Sequence, residues 1–494
     1  MIHSSTKRLA SAFAGAMLIF SLPAAQSAGA EALKLPAIFG DNMVLQQQQQ
    51  AVPVWGWAAP GAKVTVKFAG QSKSARADAD GKWLVKLAKL KASAEPQTLV
   101  IEANETRILT NILVGEVWLG SGQSNMEKPI GKQPGQKPTF NAEQELAAAN
   151  YPNIRIFKVE KMLSATPRID LEKYHGWQEC SSNALNSVSF SAAAYFFGRE
   201  IHTNLNVPVG LIESSWGGTR IEPWTPPAGF QSVPSLANIT TPDFGTNKIP
   251  NTAPTVLYNA MIAPIAGFAM RGALWYQGES NRGDTNYDLK MAALVGGWRK
   301  LWNEGSFPFY FVQIAPFKYI KDTTNYVADT DPLPPFWLQQ SRAARHIKNT
   351  GMIVTTDLVD DLNDIHPRDK ATVGHRLALL ALDETYDKEV PSAGPAFEKL
   401  KIAGNTAVLE FEHTRGGLVS KDGQPLTWFT VAGADGKFVP AEAKIVGKET
   451  VEVSAASVEK PVAVHFAWHQ LAQPNLFNGA GLPAEPFRTD EPVK

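Results

Sequence analysis

Gly115-Glu-Val-Trp-Leu-Gly-Ser-Gly-Gln-Ser-Asn-Met126 opens as an apolar run and ends in small and polar residues. The first five residues read as a buried β-strand. A serine directly after such a strand, between small neighbours, sits where a strand-to-helix turn exposes its hydroxyl. The Gly-x-Ser-x-Gly elbow is not met, because Met126 stands where the second glycine would be. Ser124 is therefore a candidate nucleophile, with an ordinary turn serine or helix cap as the plain alternative.

Further apolar, β-rich segments follow: Val209–Ile212, Gly272–Tyr276, Phe309–Gln313 and Gly351–Thr355. They alternate with helix-like stretches at Ser191–Leu205, Tyr287–Trp302 and Lys370–Glu384. Buried strands alternating with helices give a parallel sheet covered on both faces. Ligands of such sheets bind beyond the carboxyl ends of the strands. Before this region, residues 31–114 read as a small immunoglobulin-like β-sandwich, from short alternating runs such as Val52–Trp57, Lys63–Phe68 and Thr98–Glu102. The Gln46–Gln50 tract reads as strand edge or loop. Residues 395–494 return to short strands and form a second β module, leaving 115–394 as the α/β unit. Phe230–Thr255, rich in Pro, Asn, Ser and Thr, reads as a long loop near the site.

The first thirty residues stand apart. Lys7 and Arg8 precede an apolar stretch from Leu9 to Leu22, then Pro23 and small residues up to Ala28-Gly-Ala30. This is the pattern of a secretory signal peptide, too short to span a bilayer, so a secreted or periplasmic chain without a membrane anchor is expected. Cys180 is the only cysteine, which excludes an internal disulfide and a Cys-based zinc site; it reads as a buried apolar residue. With 47 basic and 47 acidic residues the net charge is zero. That argues against a nucleic-acid partner, which needs a basic surface.

Three more segments carry polar groups at strand ends. Glu213-Ser-Ser-Trp-Gly-Gly-Thr-Arg-Ile-Glu-Pro-Trp224 offers paired glycines, Gly217 and Gly218, whose N–H groups could approach an oxyanion. Trp216 and Trp224 supply flat faces for a sugar ring, and Arg220 and Glu222 could bond hydroxyls; the plain reading is core tryptophans and a structural ion pair. Trp275-Tyr-Gln-Gly-Glu-Ser-Asn281 presents Gln277, Glu279 and Asn281. Asp357-Leu-Val-Asp-Asp-Leu-Asn-Asp-Ile-His-Pro-Arg-Asp-Lys370 presents His366 just before a helix expected to start at Pro367. Asp364, two residues earlier, could hold the imidazole tautomer. A calcium loop is the alternative there, but the central glycine of an EF-hand is absent. Each segment follows a strand and supplies a different part of an acyl-transfer site. The combination needs no metal and no cofactor.

Gly122-Gln-Ser-Asn-Met126, Ser215-Trp-Gly-Gly-Thr219, Trp275-Tyr-Gln-Gly-Glu279 and Asp364-Ile-His-Pro367 together resemble the sialate O-acetylesterase family of the SGNH hydrolase superfamily. Asp41-Asn-Met-Val-Leu-Gln46 and Gly481–Asp490 resemble its terminal signatures. The resemblance implies a flavodoxin-like three-layer α/β/α domain and a serine esterase that removes acetyl groups from a carbohydrate. It implies Ser124 as nucleophile and His366 as base. For the oxyanion hole it implies the Ser124 N–H, Gly217 or Gly218, and Gln277, which stands where the superfamily usually has asparagine. The superfamily usually places its aspartate three residues before the histidine, where this chain has Asn363. Asp364 is the chosen acid, while Asp361, Asp360, Asp357 or a serine–histidine dyad stay open. The acetylated sugar could be sialic acid or a plant polysaccharide such as xylan, xyloglucan or pectin. A carbohydrate-binding protein without catalysis is the reading from another class.

Overall fold

The computed structural model describes Met1 and residues 32–321 and 330–491, so the leader expected over 1–30 lies, Met1 aside, outside the described residues. The strand read from Gly115 onward is longer than its apolar core suggested. It runs for 17 residues, Thr106–Gly122, and belongs to two pairings in turn. Its first part pairs antiparallel with Ser93–Glu102 and parallel with Val44–Gln46. From Glu116 onward it pairs with Val209–Ser215 on one side, and from Trp118 with Gly272–Tyr276 on the other. The boundary drawn between 114 and 115 thus falls inside one continuous strand.

The central sheet has the order Thr350–Ile353, Phe309–Val312, Gly272–Tyr276, Thr106–Gly122, Val209–Ser215, Asn150–Val159, Tyr174–Ser181. The first six run parallel and the last is antiparallel. Side chains alternate across it. Val117, Leu119, Ala273, Trp275, Phe309 and Phe311 enter the same core as Leu294 and Trp298 of helix Tyr287–Trp302 and Trp337 of helix Leu333–His346. Trp118, Leu274, Tyr276, Tyr310 and Val312 enter the opposite core with Phe196 and Phe197 of helix Ala192–Leu205 and Leu377 of helix Lys370–Glu384. A strand covered on both faces must be apolar at every position, which is why these segments read as continuous runs. Cys180 is buried and unpaired in the second core, as expected.

Glu116 is buried where the long strand enters the central sheet. It accepts from Arg271 Nε at 2.7 Å, from Gln47 Nε2 at 2.7 Å and from the Tyr386 hydroxyl at 2.9 Å. Gln46 donates to Glu116 and accepts from the Val117 N–H. The glutamine tract therefore begins with two side chains that anchor the amino-terminal segment to the central strand. At the other end of the chain, antiparallel strands form a four-stranded sheet in the order Ala396–Ala403, Thr406–Glu412, Thr450–Ser454, Glu442–Ile445, and a second one around Phe429–Ala432 and Ala463–Phe466. Gln470, fully buried, clasps this part to the α/β region: its N–H donates to Asp331 and its side chain exchanges two bonds with the Ile320 backbone. No helix among the described residues is long and apolar enough to cross a membrane.

Candidate active site

Ser124 begins a single helical turn, Ser124–Glu127, directly beyond the long strand. The turn is forced by Gly122, whose φ of 135° lies in the left-handed region and whose place for a Cβ is 2.2 Å from the Tyr276 carbonyl oxygen. Gln123 then laces the neighbouring loops together. Its N–H donates to Tyr276 O, and its Oε1 accepts from Gln277 Nε2 at 3.1 Å and from the Ser280 N–H at 3.3 Å. The Trp216 N–H donates to Gly122 O at 3.1 Å. Three strand-end loops therefore meet at the serine.

The fourth joins through Asn125. This side chain, 1 % exposed, donates from Nδ2 to Ile365 O at 3.0 Å and to Glu279 Oε1 at 2.6 Å. Its Oδ1 accepts from Lys370 Nζ at 2.7 Å. Residue 125 thus touches residue 365, and their neighbours Ser124 and His366 come to the same end of the sheet. The Ser124 hydroxyl and the His366 ring form no hydrogen bond in this geometry, an arrangement common in apo sites that tighten on binding.

His366 is partly buried, and burial, reinforced by the Lys370 charge, lowers its pKa to about 4 against the opposing pull of Asp364 and Glu127. Asp364 Oδ1 accepts the His366 N–H at 2.9 Å and lies 3.6 Å from the ring Nδ1, an ion-pair contact rather than a hydrogen bond. The other aspartates are engaged elsewhere: Asp357 with Arg376 and Lys421, Asp360 with Arg368, and Asp361 with Lys137. The helix expected from Pro367 starts at Lys370 instead. Asp369 caps it, its carboxylate accepting from the Thr372 N–H.

The second and third segments are laid out differently from the expectation. Gly217 does lie against the serine: a Cβ on it would be 3.2 Å from Ser124 Cβ. However, its N–H donates to Glu127 Oε2 at 2.6 Å, and Lys161 pairs with the other oxygen. Gln277 is wholly buried and its Nε2 donates to Gln123, Thr219 O and Asn281, while Tyr287 donates to its Oε1. In this geometry neither Gly217 nor Gln277 offers the free oxyanion donor expected of it. The N–H groups of Ser124 and of the exposed Gly218 take no partner among the described residues.

Trp224 is a core residue, 0 % exposed, edge-on to Trp275 and donating to Thr219 Oγ1, so it has no face for a sugar. Trp216 is only half buried and Lys161 stands over its ring. Arg220 contacts Glu222 and Asp284, and Lys290 contacts the same two carboxylates. Asn281, fully buried, donates to both. Burial opposes ionisation of Glu222, but Lys290 and Arg220 outweigh it and hold its pKa below the ordinary value. This is a balanced two-by-two charge cluster, of which only Arg220 is substantially exposed. Glu279 lies in the site's floor: burial raises its pKa, and its Oε2 has no hydrogen-bond partner.

Gln123, Asn125, Glu127, Lys290 and Lys370 all serve this site and were not singled out from the sequence. Two flank Ser124 and one ends the histidine segment. Lys290 could have been found as a lysine on the apolar stripe Tyr287, Met291, Leu294, Trp298 of its helix.

Residues 114–383 match the family model described as carbohydrate esterase, sialic acid-specific acetylesterase. The chain is 31 % identical to the human sialate O-acetylesterase over 96 % of this chain and 95 % of that one, and 29 % identical to the mouse enzyme over 96 % and 97 %. A crystal structure of a carbohydrate acetylesterase from Xanthomonas citri superposes with a TM-score of 0.83 at 35 % identity, covering 93 % of this chain and all of the other. With a family model spanning more than half of its length and a curated relative matched almost end to end, this chain belongs to the sialic acid-specific acetylesterase family of carbohydrate esterases.

Proposed function

We propose that the chain hydrolyses O-acetyl esters on a carbohydrate by two-step acyl transfer, with Ser124 as nucleophile and His366 as general base, in an SGNH-type three-layer domain. The observation that carries this reading is the Asn125 bond to Ile365 O, which holds the serine turn against the histidine loop. His366 takes the hydroxyl proton as Ser124 Oγ forms its bond to the acetyl carbon. The tetrahedral oxygen is held by the N–H groups of Ser124 and Gly218. Gly217, its own N–H turned to Glu127, keeps the wall beside the nucleophile free of a side chain. The sugar oxygen then leaves with the proton from His366, and water releases acetate by the same base. Asp364 is the acid that orients the imidazole.

Gln277, Asn281 and Glu222 act as scaffolding behind the site, while Trp216 and Arg220 are the side chains exposed enough to meet a sugar. A neutral plant glycan and an acetylated sialic acid both remain substrates of this site. Arg220, its charge answered by Glu222 and Asp284, favours hydroxyl recognition over a free carboxylate. The chain acts outside the cytoplasm after loss of its leader. Ser124→Ala is expected to fold normally, with an unchanged circular dichroism spectrum, and to release no acetate from a panel holding 9-O-acetyl sialic acid, acetyl-xylan and acetyl-xyloglucan. Retained acetate release from that variant rejects this nucleophile.

A further inference from the structure

We propose that the buried ammonium of Lys370, acting through the Asn125 amide, is a positioning group that sets the register between the turn carrying Ser124 and the loop carrying His366. This rests on the serine–histidine reading above. Lys370 is fully buried and donates from Nζ to Asn125 Oδ1 at 2.7 Å. Nζ also stands over the Tyr276 ring, 5.0 Å from its centre. On the far side of the same amide stands the Glu279 carboxylate. Cation and anion are thus bridged by an amide instead of touching.

The bridge has one consequence for geometry. An asparagine amide can be turned over at little cost unless its partners differ in kind. Here Oδ1 must face an ammonium, while both Nδ2 hydrogens face acceptors, Glu279 and Ile365 O. Only one orientation satisfies all three, so it is Nδ2 that faces Ile365 O, one residue before the base. A second consequence is electrostatic. The charged groups acting on the His366 ring are Lys370 and Lys128, which oppose its protonation, and Asp364 and Glu127, which favour it; Lys370 is the largest of the four. Burial lowers the Lys370 pKa to about 7, so it carries its charge through the acid range in which His366 titrates; a buried charge without a carboxylate in contact is destabilising, and leucine or methionine would fill the volume better. Its presence at this position points to catalysis rather than to packing.

The test is Lys370→Gln and Asn125→Ala, assayed with p-nitrophenyl acetate from acid to neutral pH beside Ser124→Ala. For Lys370→Gln, kcat is expected to fall about 10-fold or more with KM within about twofold, and the acid limb of kcat/KM to move up by roughly half a pH unit or more. For Asn125→Ala, which leaves the ammonium and cuts the bridge, the same loss in kcat is expected. Folded variants with unaltered kcat and a superimposable pH profile overturn the proposal. So does failure of both to fold, since that assigns the chain of bonds to structural support. Loss of activity in Ser124→Ala with no effect in Lys370→Gln refutes the bridge alone, whereas an active Ser124→Ala refutes the nucleophile.

Discussion

A single aspartate separates two mechanisms at the residue scale. Asp364 binds the backbone N–H of His366 and stands at 3.6 Å from its ring. If it orients the imidazole, Asp364→Asn lowers kcat by about 10²-fold or more with little change in KM. A serine–histidine dyad leaves the variant within about threefold of the parent. The pH profile gives an independent reading. With the His366 pKa near 4, the free enzyme keeps its base unprotonated well into acid, so the acid limb of kcat/KM is expected near pH 4. A limb near about 6.5, the ordinary imidazole value, counts against His366 as the base. Stability carries the same sign. The unfolded histidine takes up its proton near 6.5 and the native one only near 4, so this group's contribution is present above pH 6.5 and lost as pH falls towards 4.

Residues differed in how readable they were. Ser124 directly follows a strand and His366 stands shortly before a helix, beside small or turn-forming neighbours, and that placement is visible in sequence. Trp224 was misread because exposure is decided by what packs on a side chain, here Trp275 and Trp298, from residues far along the chain. Gln277 is turned inward for the same reason. A buried amide with three acceptors looks in sequence like one free to bind substrate.

Elements were read best where burial is two-sided. Gly272–Tyr276 and Tyr287–Trp302 have the bounds expected of them, and Lys370–Glu384 fits its helical stretch though not the start expected at Pro367. Helix Leu333–His346 was missed: Pro334 and Pro335 look like breakers, yet prolines are tolerated in a first turn whose N–H groups have no intrahelical partner anyway. Strands Asn150–Val159 and Tyr174–Ser181 were missed: the second forms the sheet's edge, the first lies next to it, and exposed polar residues dilute the pattern of both. Element geometry also makes a prediction at the turn. Gly122→Ala places a Cβ against Tyr276 O at a backbone angle that side chains rarely adopt. It is expected to lower unfolding free energy by about 3 kcal/mol or more in urea titration, and to abolish activity.

On the scale of the whole molecule, parts distant in sequence are held by a few buried polar clasps. Gln470 joins the carboxy-terminal strands to Asp331 and Ile320. Gln470→Ala is expected to cost about 1–3 kcal/mol by leaving the Ile320 backbone unpaired, read as a lowered Tm with kcat nearly unchanged. The Glu116 cluster plays the corresponding part near the amino terminus, tying Gln46, Gln47, Arg271 and Tyr386 to one strand.

That strand, Thr106–Gly122, has an implication for how such chains can diverge. Because its buried part, 112–122, is shared by two pairings and sends Val117 and Leu119 into one core and Trp118 into the other, adding or deleting one residue there turns every later side chain to the wrong face and rotates the nucleophile out of place. Length variation should therefore be forbidden from here through the buried Ser124 turn and tolerated only in the exposed stretch that opens the strand. An insertion scan selected for acetate release would show this as a silent gap that opens where the exposed part of the strand ends.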